Sequence, residues 1–189
     1  MSVVLIRHGK TAGNLACRYI GCRTDEPLCE AGIAALKTGI YPMAERVFVS
    51  PMRRCLETAA LLYPHIVPVI VPDFRECDFG RFEGRNYGEL NGRKDYQAWI
   101  DSGGELPFPD GESRVDFAVR CVRAYQQLPP PPEETAWAVI AHGGTLMAIM
   151  EAFALPRRGY FDYQTANGGG YVLHADGSWE RLPLQNHND

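Results

Sequence analysis

The sequence lacks the segments that direct a protein to a membrane or anchor it there. Its first apolar run, Val3–Ile6, has four residues and ends at Arg7. This is shorter than the apolar part of a secretory signal and far below the roughly 20 residues of a membrane-spanning helix. Six cysteines are present without a C-x-x-C pair, and the spacing of Cys17, Cys22 and Cys29 fits no zinc pattern. We therefore expect a cytoplasmic protein with reduced thiols, no metal site and no membrane partner.

A strong excess of charge of either sign is also missing. The 189 residues include 19 lysines and arginines and 23 aspartates and glutamates, a formal net charge of −4. This balance gives no overall attraction for nucleic acid. Hydrophobic residues make up 46% of the chain and charged residues 22%, which favours a packed core and excludes intrinsic disorder. The length fits a single domain over residues 1–189.

Short apolar runs alternate with helical patterns along the chain. The runs Val3–Ile6, Val47–Val49 and Ala136–Ala141 are typical of strands buried on both faces. A fourth run, Ile66–Val71, is interrupted by a proline, which favours an edge strand, and residues 171–182 predict a terminal hairpin. The alternation predicts an α/β fold of three layers, with helices flanking a largely parallel central sheet.

The helices between these runs have recognisable starts. Ser50, followed by proline, is predicted to be the N-cap of a helix that ends near Leu62. Ser113 and Asp116 have the spacing of a capping box at the start of another helix. The apolar stripe expected to face the core on that helix consists of Val115, Val119, Val122 and Tyr125.

Three of the strands end in polar segments that suit an anion. Arg7-His8-Gly9 follows the run Val3–Ile6, and Ser50-Pro51-Met52-Arg53-Arg54 follows Val47–Val49. His142-Gly143-Gly144 follows Ala136–Ala141. Ligands of an open parallel sheet bind beyond the carboxyl ends of its strands, so these segments are expected at one edge. Glycine allows a ligand close to the backbone, and guanidinium groups match phosphate oxygens in pairs. The pattern predicts a phosphate pocket.

Five segments, in chain order, resemble the motifs of the histidine phosphatase superfamily. Residues 7–14 are similar to R-H-G-E-T-x-x-N, residues 50–59 to S-P-L-x-R-A-x-Q-T-A, and residues 75–84 to E-x-x-x-G-x-W-E-G. Residues 111–113 and 142–144 match the later G-E-S and H-G-G segments. The short chain and the stretch G-C-R-T-D-E-P-L at 21–28 most resemble the α-ribazole and broad-specificity phosphatases of the superfamily. The resemblance implies a phosphoglycerate mutase-like fold.

The resemblance also implies a role for each matching residue. His8 is expected to attack phosphorus and become phosphohistidine, and Glu76 to protonate the leaving alkoxide and then activate water. The residues expected to hold the phosphoryl group are Arg7, Gly9, Asn14, Arg54, His142 and Gly143. No metal or other cofactor is expected, because the arginines supply the positive charge.

Several assignments leave alternatives open. Asp78 and Glu83 are carboxylates close in sequence to Glu76, and either could take its place. Arg53 and Arg54 are about 100° apart on a helix, so only one should enter the pocket. The motif spacing selects Arg54 and leaves Arg53 for the solvated face.

Three residues depart from the motifs or stand close to them. Lys10 replaces a glutamate beside the nucleophile, which adds positive charge near the pocket. Cys29 stands at a predicted helix N-cap that is usually threonine. Cys77 follows Glu76 and is expected to pack in the interior, because a redox role would need exposure and a lowered pKa.

Together these features predict a metal-independent phosphomonoesterase that acts on a small phosphorylated metabolite, with α-ribazole 5′-phosphate as the candidate substrate. Residues 72–111 are expected to cover the pocket, and their aromatic side chains could stack on a base or form a local core. A cofactor-dependent phosphoglycerate mutase of the same fold and a non-catalytic phosphate-binding module remain alternatives. The oligomeric state is left open.

Overall fold

Six strands and seven α-helices form a layered structure in the computed structural model, which describes residues 2–132 and 135–182. The strands are β1 (Ser2–Arg7), β2 (Arg46–Val49), β3 (Val69–Ile70), β4 (Ala136–Ala141), β5 (Gly170–His174) and β6 (Trp179–Arg181). The α-helices are α1 (Ala12–Leu15), α2 (Glu30–Thr38), α3 (Arg53–Leu62), α4 (Tyr87–Leu90), α5 (Lys94–Asp101), α6 (Arg114–Gln126) and α7 (Gly143–Phe153). Short 3₁₀ helices cover Pro72–Phe74, Gly80–Phe82 and Tyr160–Tyr163.

The strands form one mixed sheet in the order β3-β2-β4-β1-β5-β6. Strands β1 to β4 run parallel, β5 is antiparallel to β1, and β6 is antiparallel to β5. The predicted α/β fold with a largely parallel sheet is confirmed, as are the edge position of β3 and the terminal hairpin. Arg7 pairs with Ala141 and Val49 with Ile140, so β1, β4 and β2 end at the same edge.

Helices cover both faces of the sheet because β1 and its neighbours are apolar on both sides. Val3 and Leu5 pack with residues of α6 and α7 in one buried cluster. Val4 and Ile6 point to the other face and join a cluster with Cys55 of α3. This alternation follows from the two-residue period of a strand, and it produces three layers.

The irregular stretch from 72 to 111 contributes a third cluster. Phe82, Leu90 and Phe108 are buried there together with Phe117 of α6. Aromatic rings in this cluster meet edge to face, with centroids 5.8 Å apart between Phe82 and Phe108. The segment is therefore held by its own aromatic packing against the helical layer.

The predicted core stripe of α6 is wrong at Val115 and Val119, whereas Tyr125 is partly buried and packs against the cluster that contains Val3 and Leu5. Val115 and Val119 are 62% and 61% exposed, and the buried residues of the helix are Phe117, Cys121 and Ala124. This second stripe also has helical spacing, and it carries the largest apolar side chain of the helix. Burying Phe117 against the aromatic cluster removes more apolar surface from water than burying a valine, which explains the rotation.

The two predicted N-caps outside α6 have different outcomes. The Cys29 sulfur accepts a hydrogen bond from Gly32 N at 3.4 Å and begins α2, as predicted. The prediction for Ser50 is wrong, because α3 begins at Arg53 with Met52 as its N-cap. Ser50 Oγ lies 2.7 Å from His142 Nε2 instead, so its hydroxyl is used by a distant side chain. At α6, Ser113 caps the helix through Asp116 N, as predicted.

The described residues contain no helix with the length and apolar character that crossing a bilayer requires. The six cysteines are all free thiols.

Candidate active site

The carboxyl edge of the sheet brings two histidines together. His8 follows β1, His142 precedes α7, and their ring centroids are 5.1 Å apart with planes inclined at 66°. The pairing of Arg7 with Ala141 places the next residue of each strand at the same height. The predicted meeting of the two histidine segments at one edge of the sheet is confirmed.

The imidazole of His8 is buried and has a fixed orientation. Its Nδ1 lies 2.7 Å from Gly9 O, and because a carbonyl oxygen only accepts, Nδ1 carries the hydrogen. The other nitrogen, Nε2, therefore keeps its lone pair. Burial, reinforced by the Arg54 guanidinium, holds the pKa of His8 well below 6.5. His8 is a neutral imidazole with one nitrogen free for nucleophilic attack.

Gly9 is a glycine for a packing reason. A Cβ at this position would lie 2.7 Å from Leu36 Cδ1, and Gly9 N donates to Thr58 Oγ1 at 3.1 Å. Gly9 is absent from the residues that line the cavity described below. The close approach that the glycine permits is thus to α2, and its N–H is already used by α3.

His142 is fully buried and bonded to Ser50. Its Nε2 lies 2.7 Å from Ser50 Oγ, and burial together with Arg54 holds the pKa of His142 well below 6.5. The side chain does not line the cavity, so its expected contact with the phosphoryl group stays a prediction. The two histidines are therefore neutral neighbours and do not repel each other.

Two guanidinium groups supply the positive charge around His8. Arg54 is fully buried and donates to Thr24 O at 2.8 Å and Gly21 O at 3.0 Å. Arg7 lines the cavity and donates to Thr165 O at 2.6 Å. Within the described part of the chain, the buried Nε of each arginine has no hydrogen-bond partner.

Arg53, the neighbour of Arg54 in α3, lies on the solvent side of the helix. It is exposed and forms an ion pair with Glu57 at 2.7 Å, one helical turn away. Arg54 is buried in the interior, but it does not line the cavity described below, so its contact with the phosphoryl group stays a prediction. A surface pair of this kind contributes about 0.3–0.5 kcal/mol to stability.

Glu76 is a buried carboxylate in the same cavity. Its Oε1 accepts a hydrogen bond from Cys77 N at 2.9 Å. Burial raises the pKa of Glu76 above 4.5, although the Cys77 N–H, Arg54, Arg7 and the Gly144 N–H oppose the rise. A Cβ on Gly144 would lie 2.7 Å from Glu76 Oε1, so glycine at the start of α7 makes room for the carboxylate.

The two alternative carboxylates are used elsewhere. Asp78 forms an ion pair with Arg23 at 2.7 Å, and Glu83 accepts a hydrogen bond from Gly21 N at 2.9 Å. Neither of them lines the cavity, whereas Glu76 does. The geometry therefore favours Glu76 over both alternatives.

Asn14 and Gly143 both line the cavity near His8. Asn14 Oδ1 accepts from Thr11 N at 3.2 Å and from Asn167 Nδ2 at 3.1 Å, which fixes the amide plane. A Cβ on Gly143 would lie 3.3 Å from Arg7 Nε, so the missing side chain lets the guanidinium rest against the start of α7. The N-terminal N–H groups of this 11-residue helix favour an anion at that point.

The cavity has a volume of about 550 Å³. Of the residues described above, Arg7, His8, Asn14, Glu76, Gly143 and Gly144 line it, whereas Gly9, Arg54 and His142 do not. The 72–111 segment contributes three aromatic residues to the lining, Phe79, Trp99 and Phe108, which form its aromatic wall. The same rings pack on one another, with centroids 4.9 Å apart between Trp99 and Phe108. The aromatic residues thus form a local core and also line the cavity.

The structure gives neither Lys10 nor Cys77 a reactive environment. Lys10 is exposed and does not line the cavity. Cys77 is buried beside Glu76, and burial strongly raises the pKa of its thiol. A thiol of this kind is inert at neutral pH, which agrees with the packing role expected for it.

Some residues of the site could not be found from local sequence patterns. Ser50 lies 92 positions from His142, Thr165 lies 158 from Arg7, and Asn167 lies 153 from Asn14. Ser50 lies within one of the matched motifs, so the motif could have indicated a place in the site. Thr165 and Asn167 lie in no motif. No group of three or more His, Cys, Asp or Glu residues within 2–132 and 135–182 is arranged to hold a metal ion.

Comparison with known proteins shows a family match over nearly the whole chain. The model described as histidine phosphatase superfamily (branch 1) matches residues 3–188. A metal-independent phosphoserine phosphatase of Arabidopsis thaliana is 29% identical over 186 residues, covering 92% of this chain and 73% of the relative. An adenosylcobalamin/alpha-ribazole phosphatase of Salmonella typhimurium is 28% identical over 178 residues, covering 89% and 87%.

Mutases are also among the similar proteins. A 2,3-bisphosphoglycerate-dependent phosphoglycerate mutase 2 of Gloeobacter violaceus is 33% identical over 162 residues, covering 78% of this chain and 73% of the relative. The crystal structure of phosphoglycerate mutase from Thermus thermophilus has a TM-score of 0.76 at 28% identity, covering 98% of this chain and 100% of that chain. The predicted phosphoglycerate mutase-like fold is confirmed.

The two buried histidines predict how stability depends on pH. The folded protein keeps their pKa values well below 6.5, whereas the unfolded chain takes up protons near that value. Below pH 6.5 the unfolded chain binds more protons, so the free energy of unfolding falls as the pH falls. We expect a loss of about 1.4 kcal/mol per pH unit for each histidine.

His142→Gln should reduce the acid-induced loss in the free energy of unfolding by the contribution of one histidine. Chemical denaturation at several values between about pH 7.5 and pH 5.5 measures it. His65→Gln is the matched control, because His65 is exposed and its replacement should leave the pH dependence unchanged. Equal slopes for wild type and His142→Gln would contradict the account.

Proposed function

The chain belongs to the histidine phosphatase superfamily (branch 1), and we propose that it is a phosphomonoesterase that acts through a phosphohistidine on His8. One observation carries this proposal. A buried neutral imidazole, with Nδ1 held by Gly9 O, lies beside two guanidinium groups and a carboxyl group of raised pKa. These are the parts that phosphoryl transfer to a histidine requires.

The first step forms a bond between His8 Nε2 and phosphorus while the bond from phosphorus to the leaving oxygen breaks. A neutral imidazole approaches the anionic phosphoryl group without needing to lose a proton first. The Gly9 carbonyl then stabilises the Nδ1 hydrogen, which becomes more acidic as the ring gains positive character. In-line attack puts the leaving group on the side of phosphorus opposite His8.

Positive charge stabilises the transferring phosphoryl group. Arg7 lines the cavity and contacts the phosphoryl oxygens, while Arg54 acts as a fixed charge behind His8. Asn14 and the first N–H groups of α7 add neutral donors. Because the histidines are neutral and Glu76 is the acid in the cavity wall, the site is electropositive and attracts a dianion. The guanidinium groups supply the charge that a metal ion supplies in other phosphatases.

Glu76 handles the protons. Its protonated carboxyl donates to the leaving alkoxide, and the resulting carboxylate then removes a proton from the water that attacks phosphohistidine. Free alcohol and phosphate are the products. The cavity reaches solvent beside Phe161, which is 58% exposed, so water can enter after the alcohol leaves. This access favours hydrolysis. A mutase must instead exclude water until the phosphoryl group returns to the substrate.

The substrate proposed is a small phosphorylated metabolite. α-Ribazole 5′-phosphate is a candidate because its flat base matches the wall of Phe79, Trp99 and Phe108. The six free thiols fit a reducing compartment, and we place the protein in the cytoplasm on that ground.

Phosphate release from a panel of phosphomonoesters tests the proposed function. The panel contains α-ribazole 5′-phosphate, phosphoserine, phosphoglycerates and sugar phosphates, each with and without EDTA. We expect release by wild type and by His65→Ala, no effect of EDTA, and release at background level by His8→Ala. Interconversion of 2- and 3-phosphoglycerate faster than release would make the protein a mutase. Tight binding without turnover would make it a binding module.

Glu76→Gln should change both the rate and its pH dependence. Only the protonated carboxyl is an acid, so kcat/KM for an alkyl phosphate should fall as the pH rises through the raised pKa of Glu76. Glutamine does not titrate, so this alkaline fall disappears and the rate drops by about 10²–10⁴-fold. The ionisation of the substrate affects both proteins equally. A nitrophenyl phosphate should lose less, because its leaving group needs no proton. Equal losses on both substrates, with the pH profile unchanged, would show that another group donates the proton.

A further inference from the structure

The cavity contains more positive charge than its carboxylates balance. Its lining residues include three arginines, Arg7, Arg18 and Arg114, while Glu76 is the one acid among the described lining residues. Arg18 is paired with Glu89 at 2.8 Å, which neutralises it. Arg7 belongs to the phosphate end of the cavity. Arg114 remains as a second positive charge without an assigned function.

The Arg114 side chain has no acidic partner among residues 2–132 and 135–182. None of the ion pairs between described residues involves it, and its buried Nε has no acceptor in that part of the chain. The guanidinium carbon lies 5.4 Å from the centroid of the Tyr160 ring. This cation–π contact positions the group and leaves its charge in place. A buried donor without an acceptor is unfavourable, so the geometry calls for an external one.

The position of Arg114 in its helix strengthens this requirement. Arg114 is the first residue of the 13-residue helix α6, directly after the N-cap Ser113. The N-terminal end of a helix carries partial positive charge, and Asp116 in the first turn of α6 offsets part of it. The guanidinium of Arg114 adds a positive charge at this end of the helix, which favours an anion there.

We propose that Arg114 binds a second anionic group, a carboxylate or a phosphate, on the alcohol half of the substrate. The inference rests on the proposed function, since it takes the scissile phosphate to be at His8. A guanidinium fork can donate two parallel N–H bonds to either group. Phe79, Trp99 and Phe108 line the same cavity.

This assigns a substrate class to the site. The preferred phosphomonoester has a compact, flat or apolar middle and an anionic group at the end remote from the scissile phosphate. α-Ribazole 5′-phosphate carries no anionic group besides its phosphate, so it should be a poorer substrate than a molecule of this class.

Three related substrates test the assignment. They are phenyl phosphate, para-carboxyphenyl phosphate and para-phenylene bisphosphate, which share the aromatic ring and differ in the remote group. We expect Arg114→Gln to lower kcat/KM for at least one of the two anionic substrates by about ten- to a hundredfold, mainly through KM. Phenyl phosphate should stay within about twofold, because it does not reach Arg114. The anionic substrate that responds identifies the bound group.

Two further variants separate charge recognition from a structural effect. Arg114→Lys keeps the charge and should retain part of the preference, and Arg18→Gln should retain all of it because Arg18 is already paired. Equal losses on all three substrates in Arg114→Gln, or no loss on any of them, would overturn the inference.

Failure of the proposed function is distinguishable from failure of this inference. If wild type hydrolyses none of these three substrates and none of the phosphomonoesters in the panel above, the proposed function is wrong. Calorimetric binding of para-carboxyphenyl phosphate and of para-phenylene bisphosphate to wild type and Arg114→Gln then tests Arg114 alone. Unchanged affinity for both in the variant would overturn its role.

Discussion

The buried guanidinium of Arg54 acts on both the loop at Gly21–Thr24 and the two histidines of the site. A charge without solvent exposure is unfavourable unless it is paired or hydrogen-bonded, and here backbone carbonyls at Gly21 and Thr24 accept from it. The loop that provides them is thereby tied to α3. The same charge opposes protonation of His8 and His142. Arg54 therefore orders the loop and, together with burial as the larger cause, keeps the pKa of His8 low.

The chemistry and the specificity of the site have separate structural origins. The sheet edge and the starts of α3 and α7 hold the groups around His8, and these depend on strand pairing and helix packing. The aromatic wall comes from the segment 72–111 and from α6, where Phe117 packs beneath it. Arg114 stands at the start of the same helix. The orientation of α6 that buries Phe117 thus supports the aromatic part of the cavity, which is where we propose that the leaving group binds.

Local sequence predicted the parts of the site that follow directly from strands. His8 and His142 follow apolar runs, and the parallel pairing of β1 with β4 brings them together. The burial of Arg54 followed from its spacing within a motif. The face of α6 could not be chosen locally, because both the valine stripe and the stripe of Phe117 have helical period. The choice depends on the aromatic cluster, which forms only in the folded protein.

Long-range side-chain partners were beyond prediction for a similar reason. Ser50 has the sequence context of an N-cap, yet its hydroxyl is taken by His142. Gly9 has the context of a phosphate contact, yet it faces Leu36. That no described carboxylate pairs with Arg114 depends on long-range packing, and no local pattern encodes it.

The most direct test of the account is the site of phosphorylation on the protein during turnover. Rapid mixing with substrate, quenching in alkali and peptide mass spectrometry locate the phosphoryl group, and chromatography against standards separates the two phosphohistidine isomers. We predict phosphate on His8 and on its Nε2 atom, because Nδ1 carries the hydrogen donated to Gly9 O. Phosphate on Nδ1 or on another residue, or turnover that proceeds without a phosphoenzyme, would contradict it.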